Sequence, residues 1–355
     1  MRFCVLMAFF DKGSTFRKRN LSEVVKNYLT TDDFDVIITE QYPSGFGESV
    51  AKQNPDRVKF VPCDKVNGDP QKVGRFCKTE LLNAAVKAYP DYDYYVMGDA
   101  DALLSKEAFD SLREATRLLD SGEASIVFPF DNVLYLNEPD TKRIVANEPL
   151  LPGTKDHGAE IFRQTGHCNI FKKSTWDAVG GFDEAFTNWG AEDDAFLTKC
   201  KRIVGHSQRL NGTIYPLFHP KVNTNAYCES NDYVSNRKRC ACVRRMTIDD
   251  LTLYCTGKAK LDDLVAKYDA LGRLSVRLRW KCTPLCLLTI DTTIYDIDNE
   301  GEMSFTKLLD AVSAEDGAWY IPTFINTALG GLDGIPGLTA EQRTELKDYL
   351  SKCSS

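Results

Sequence analysis

The chain has 355 residues, 43% of them apolar or aromatic, enough to bury a sizeable core in one large or two moderate domains. Its 51 acidic against 44 basic residues give a net charge of −7, which disfavours nucleic acid as a partner while permitting a local basic pocket for one diphosphate. No stretch approaches the roughly 20 apolar residues of a membrane helix. The apolar run after Arg2 lacks a small-residue cleavage site and is expected to be a core strand rather than a signal peptide, so the chain is expected to be cytoplasmic.

The first 40 residues read as strand, helix, strand: a buried run over 2–10, a helical stretch over 21–29 and a second strand over 34–39. A looser region bearing Pro and Gly, 41–70, leads to a helix over 76–88, where Leu81, Leu82, Ala85 and Val86 share one face. Residues 92–97 form a short aromatic and β-branched strand bounded by Pro90 and Gly98. Asp99-Ala100-Asp101 therefore falls just past the carboxyl end of a strand, the edge at which open α/β sheets place their ligands.

A helix over 106–119 and a strand over 124–130 follow, then a stretch from 131 to 165 with little periodicity, of the kind more often used as a functional loop than as a plain connection. A short helix from Ser174 closes at Gly180-Gly181, and another begins at Glu192 with three acids in its first turn. Beyond residue 225 the sequence changes character. A basic cluster at 237–245 reads as a solvated face, and a helix over 261–271, a strand pair over 274–280 and 284–295, and a terminal helix over 338–350 are expected.

Twelve cysteines are scattered without a compact framework and read as mostly reduced thiols; Cys240 and Cys242 lack the spacing of a zinc site. The acids at 296–300 resemble the start of a calcium loop, but Lys307 stands where the bidentate Glu is required, so a turn explains them better. His157, in the 131–165 stretch, is a lesser candidate for acceptor contact.

Two acidic groups remain as candidates for chemistry. Asp99 and Asp101, at i and i+2 on a loop, can converge on one divalent cation, although Asp is common in turns for its own reasons. In Trp189-Gly190-Ala191-Glu192-Asp193-Asp194, three successive acids follow a glycine turn; one can accept a proton from a hydroxyl while a neighbour orients it, and Trp189 offers a flat face to a sugar ring. The blander reading of that cluster is a favourable interaction with the helix dipole.

Taken in order, Phe76-Cys77-Lys78-Thr79-Glu80-Leu81-Leu82-Asn83, residues 94–101 and residues 180–194 resemble the motifs of inverting galactosyltransferases of the β-1,4 type and of the related chondroitin-synthase and polypeptide N-acetylgalactosaminyltransferase groups. The resemblance covers residues 1–225 and implies an α/β fold of the GT-A nucleotide-sugar-binding type, with a mixed sheet flanked by helices. Residues 226–355 are left as a C-terminal α+β extension or small domain.

The resemblance further implies that Asp101 binds Mn2+ or Mg2+, with His219 completing the metal site and Asp99 near the ribose or the metal-bound water. Phe76, Lys78, Asp99, Gly190 and Glu192 would contact the donor, a nucleotide-diphosphate sugar and most simply a UDP-sugar. Trp189 and Asp194 would contact a glycan or glycoconjugate acceptor, and Asp193 would be the base. Lys78 stands where the family has Arg, and Ala191 where Gly is common. The competing classes are a non-catalytic sugar-nucleotide or glycan-binding module and a phosphatase with an Asp nucleophile. The latter would want its Asp-x-Asp at the end of the first strand rather than near residue 100.

Overall fold

Seven buried or nearly buried residues, Phe3–Phe9, form β1, and they lie centrally because apolar side chains on both faces of a strand require cover on both sides. The computed structural model describes residues 2–41, 44–72, 74–150, 165–188, 190–220, 231–271, 277–283 and 286–291, with Thr344. Two units are distinguished: Met1–Val222 with Thr247–Lys260, and Asn223–Met246 with Leu261–Ser355. Trp189, His157, the acids at 296–300 and, Thr344 apart, the expected terminal helix lie outside the described residues.

In the first unit β1 pairs in parallel with β2 (Phe34–Glu40) on one side and with β4 (Tyr94–Gly98) on the other. Outward from β2 runs β3 (Val58–Pro62), also parallel. Beyond β4, β8 (Cys168–Lys172) runs antiparallel, followed by β6 (Ile126–Phe128) and β9 (Ser207–Arg209). The resulting order is β3-β2-β1-β4-β8-β6-β9, a mixed sheet with helices packed on it, as expected from the sequence. A smaller sheet has β10 (Thr213–Pro216) between β5 (Ala102–Leu104) and β7 (Asn132–Val133).

Several elements differ from the sequence reading. Helix α1 spans Thr15–Leu29, starting well before residue 21, because the Ser14 hydroxyl caps the amide of Arg17 and Phe16 is the one apolar side chain among residues 15–20, too few to set a period. The region read as loose over 41–70 holds α2 (Phe46–Gln53), β3 and the single turn α3 (Asp64–Asn67). The 131–165 stretch contains β7 and α6 (Glu138–Val145), whose start is signalled by Asn137 capping the amide of Asp140 and by Pro139 in the first turn.

Helices α4 (Lys78–Ala88) and α5 (Lys106–Ser121) lie close to their expected positions, α5 being capped by Ser105 and closed at Gly122. The eight described free cysteines are all buried, as expected of reduced thiols.

The segment leading to residues 190–194 is held by an aromatic cluster. α7 (Lys173–Val179) supplies Trp176 and α8 (Glu192–Lys199) supplies Phe196; Phe182 stacks on Phe196 at 4.4 Å between centroids, and Phe171 of β8 meets both Trp176 and Phe196. Between α7 and this cluster the chain turns at Gly180, with φ +70, where a Cβ would lie 2.4 Å from the carbonyl oxygen of Cys255 in the helix Ile248–Cys255. Gly180→Ala is therefore expected to destabilise the chain by about 2 kcal/mol or more, combining the left-handed penalty with a backbone clash. Chemical denaturation checks this, and an unchanged midpoint would show that the turn relaxes freely.

The second unit contains the helices Asn231–Arg245 and Leu261–Ala270 and the antiparallel pair β11 (Arg277–Thr283) and β12 (Cys286–Asp291). In its basic cluster, Lys238 pairs with Asp269 at 2.7 Å and Arg239 with Asp262 at 3.1 Å.

Candidate active site

Because β2 and β4 flank β1 on opposite sides, the sheet changes direction between β1 and β4, and a crevice is expected at their carboxyl ends. Asp99 is the first residue beyond β4. The turn Asp99-Ala100-Asp101 then enters β5, whose antiparallel register with β10 pairs Ala102 with Pro216 and lets the Leu217 amide donate to the Asp101 carbonyl at 2.7 Å. That register carries His219 to Asp101, with Nε2 3.0 Å from Oδ2.

The approach is fixed by α1 and α6. Asn20 of α1 donates to the Leu217 and Phe218 carbonyls, Arg19 also donates to Phe218, and the Thr141 hydroxyl accepts from the Phe218 amide. Asn20 is fully buried in this role.

Residues 76–83 act as a frame for residues 182–188. Asn188 and Phe76 exchange two hydrogen bonds: the Phe76 amide donates to the Asn188 side chain at 3.0 Å, and the Asn188 amide donates to the Phe76 carbonyl at 2.8 Å. Thr79 donates to the Phe186 carbonyl. Asn83 both donates to the Phe182 carbonyl and accepts from its amide. Phe76 itself stacks against Phe10, at 6.0 Å between centroids, just beyond the end of β1. The two motifs, about a hundred residues apart, are thus one local structure.

At the open end of this frame, Lys78 is the first residue of α4. Its Nζ lies 3.1 and 3.0 Å from the two oxygens of Asp193, and 3.5 Å from both Asp99 Oδ1 and Glu192 Oε1. Burial works against the ammonium, but Asp193, Asp99 and Glu192 overcome it and hold Lys78 protonated well above its usual range. One cation cannot offset three anions. Burial raises Asp193, Lys78 pulls it back, and Glu192 and Asp99 push it up again, leaving its carboxyl well above the usual carboxylate range. For Asp99 burial is outweighed by Lys78 and His167, so its carboxyl titrates below that range.

Ala191 caps the start of helix α8 and adopts φ +68, a left-handed conformation suited to the glycine common at this place in the resembling family. The turn lets the Gly190 amide donate to Glu192 Oε2 at 3.2 Å.

The structure thus brings together Lys78, Asp99, Glu192 and Asp193 as one cluster, and Asp101 and His219 as an adjoining pair. Asp99 does not share the pair directly; its carboxylate is engaged by Lys78 and His167. Among the described residues no three His, Cys, Asp or Glu side chains converge as a metal-binding group. A carboxylate oxygen and an imidazole nitrogen, 28% and 22% exposed, nonetheless suit Mn2+ or Mg2+ of the kind held by few protein groups and completed by phosphate oxygens and water.

Four residues near the site were missed by sequence reasoning: Tyr135, Thr165, Gly166 and His167. Thr165 donates to Asp194 Oδ1 at 2.8 Å. A Cβ on Gly166 would stand 3.0 Å from Asp193 Oδ2 and 3.9 Å from Asp99 Oδ2. His167 meets Asp99 by backbone and ring, and its Nε2 lies 3.1 Å from the Tyr135 hydroxyl. No pattern announces them, because their importance arises from β8 pairing with β4, which brings residue 167 beside residue 99.

A family model described as the N-terminal domain of galactosyltransferase matches residues 154–221. No curated protein matches the sequence. Among solved structures, S. aureus TarS 1-349 in complex with UDP-GlcNAc is similar with a TM-score of 0.48 and 13% identity, covering 100% of this chain and 88% of that one. The mannosyltransferase PcManGT from Pyrobaculum calidifontis, in complex with GDP-Man and Mn2+, has a TM-score of 0.45 and 15% identity over 76% and 75% of the two chains. Glucosyl-3-phosphoglycerate synthase from Mycobacterium tuberculosis, in complex with Mn2+, UDP and phosphoglyceric acid, has a TM-score of 0.41 and 12% identity over 68% and 76%. Among the described residues no helix is long and apolar enough to cross a membrane. The stretch carrying His167, Glu192, Asp193, Asp194 and His219 is galactosyltransferase-like in sequence, and it belongs to a mixed α/β domain of the architecture expected for a GT-A glycosyltransferase.

Proposed function

We propose that the protein is a metal-dependent glycosyltransferase that moves a sugar, with inversion, from a nucleotide-diphosphate sugar to a hydroxyl of a glycan or glycoconjugate. A UDP-sugar is the proposed donor. The observation that carries this reading is the convergence of the Asp-x-Asp turn and the Glu-Asp-Asp helix start on Lys78, at the carboxyl edge of the sheet. The galactosyltransferase-like stretch at 154–221 supports the reaction class.

Asp101 and His219 would hold Mn2+ or Mg2+, which would stabilise negative charge on the departing diphosphate. The local charge favours such a cation: Asp99, Glu192 and Asp193 meet a single lysine, Asp101 lies in the adjoining turn, and an unaccompanied diphosphate would meet a net negative site. Lys78, as a point charge, is placed to exchange part of its carboxylate contact for a phosphate oxygen. Phe76 and Gly190 would line the donor, and Glu192 would contact its sugar.

Asp193 would accept the proton of the acceptor hydroxyl, helped by a proton affinity raised by burial and by its acidic neighbours. The resulting oxygen would form its bond to the anomeric carbon while the bond from that carbon to the diphosphate breaks on the opposite face. Asp194, fixed by Thr165, would orient the acceptor beside Trp189.

A donor screen with Mn2+, following hydrolysis of UDP- and GDP-sugars, tests the proposal. Consumption of a UDP-sugar is expected, abolished by chelator and sharply reduced in Asp101→Ala and His219→Ala. Hydrolysis that survives both chelation and Asp101→Ala would sink the metal assignment.

A further inference from the structure

Asp99 has two carboxylate oxygens with different surroundings. Oδ1 faces Lys78 at 3.5 Å, whereas Oδ2 accepts from the backbone amide of His167 at 3.1 Å and stands 3.2 Å from its ring Nδ1. The Asp99 amide in turn donates to the His167 carbonyl at 2.9 Å, so the two residues are clasped through both backbone and side chain.

His167 adopts φ +62, outside the region that residues with a side chain ordinarily occupy. This conformation sets its ring between Asp99 and Tyr135, the ring planes of His167 and Tyr135 meeting edge to face at 5.7 Å. A ring nitrogen facing a carboxylate must carry a proton to be attracted to it, which places hydrogen on Nδ1. The Tyr135 hydroxyl, able to donate or accept, serves Nε2 at 3.1 Å. Nδ1 is buried and makes no aligned hydrogen bond, so the ring acts on Oδ2 through its N–H dipole at 3.2 Å, beside the aligned bond from the backbone amide.

We infer that His167 is the positioning residue for Asp99: it holds Oδ2, so that Oδ1 is presented to Lys78 and to the donor, and Tyr135 holds the imidazole in that orientation. The inference rests on the donor-site reading above and adds to it a residue that touches neither the metal pair nor Asp193. The neighbouring Gly166 fits the same arrangement, since its bare Cα lets the segment pass Asp193 Oδ2 without crowding it.

The test uses the full chain and three variants. His167→Gly removes the ring but suits a positive φ, so the fold is retained; His167→Asn tolerates the same φ and restores a short donor; Tyr135→Phe removes only the hydroxyl. Binding of Mn2+-UDP is measured by calorimetry, with melting temperature recorded in parallel and KM and kcat taken for the donor that is consumed.

His167→Gly is expected to weaken Mn2+-UDP binding by about tenfold or more, the usual effect of removing a partner that orients such a carboxylate, with its melting temperature preserved. The loss should appear in KM for the donor more than in kcat. His167→Asn should recover part of the affinity, and Tyr135→Phe should fall between His167→Gly and the parent. Parental affinity in His167→Gly would overturn the inference alone. Absence of Mn2+-UDP binding by the parent chain would overturn the donor-site reading and the inference together.

Discussion

Asp193→Asn is expected to lower transfer by about 10²- to 10⁴-fold, the range typical of losing a positioned general base, while leaving Mn2+-UDP binding within about threefold of the parent. Asparagine preserves size and keeps one of the two acceptor oxygens that face Lys78, but it cannot take a proton. The expected pH dependence follows from the direction of the Asp193 shift. Burial, Glu192 and Asp99 raise its proton affinity despite Lys78, so the ionised, competent form should be lost as pH falls through a value above the ordinary carboxylate range. Steady-state turnover of the donor identified by screening, against a panel of sugar acceptors, should therefore show an acidic limb in the parent that disappears in Asp193→Asn. Unchanged transfer by this variant would remove Asp193 as the base while leaving the donor site standing.

How much of this arrangement is legible in the sequence depends on the range of the interaction responsible. The strand, helix, strand opening is readable because burial imposes its own periodicity on residues 2–40, and Asp99 is correctly placed at a strand end by Pro90 and Gly98 alone. Element starts set by single capping residues are harder: Ser14 and Asn137 each begin a helix whose first turn has no repeated apolar signal. α2 and β3 escape notice because α2 has only eight residues and β3 is a partly exposed edge strand of five residues that includes Lys59 and ends at Pro62.

The site shows the same division. The motif order 76–83, 94–101 and 180–194 is visible by resemblance, and the structure supplies a reason for it: Phe76, Thr79 and Asn83 form hydrogen bonds to residues 182–188. The placement of His219 beside Asp101 depends on the β5–β10 register, and that of His167 beside Asp99 on β8 entering antiparallel to β4. Neither register can be read from local pattern, because each is decided by which strands become neighbours.

Lys78→Met should produce the largest stability change, a loss of about 3–5 kcal/mol at neutral pH, because it removes one partner of a buried ion cluster and leaves the others uncompensated. The side chains of Lys78, Glu192 and Asp193 are 12%, 9% and 16% exposed, so water screens the remaining carboxylates poorly. In the parent, Lys78 is held above its unfolded value, so its contribution is fully present below about pH 10.5, the ordinary lysine value, and is lost as pH rises through the folded pKa. In Lys78→Met the clustered acids lose their cation and their proton affinities rise, so the folded state binds more protons than the unfolded one. Stability of the variant should accordingly recover as pH falls from neutrality toward the ordinary carboxylate range, whereas loss of a merely packing side chain would give a deficit independent of pH. Lys78→Arg separates charge from shape: it keeps the cation and restores the residue common in the resembling family, and it should retain most of the stability. Urea unfolding of the three proteins at neutral and at mildly acidic pH makes the comparison. A Lys78→Met deficit below about 1 kcal/mol, or one that does not change with pH, would mean that the three carboxylates are solvated rather than balanced by Lys78.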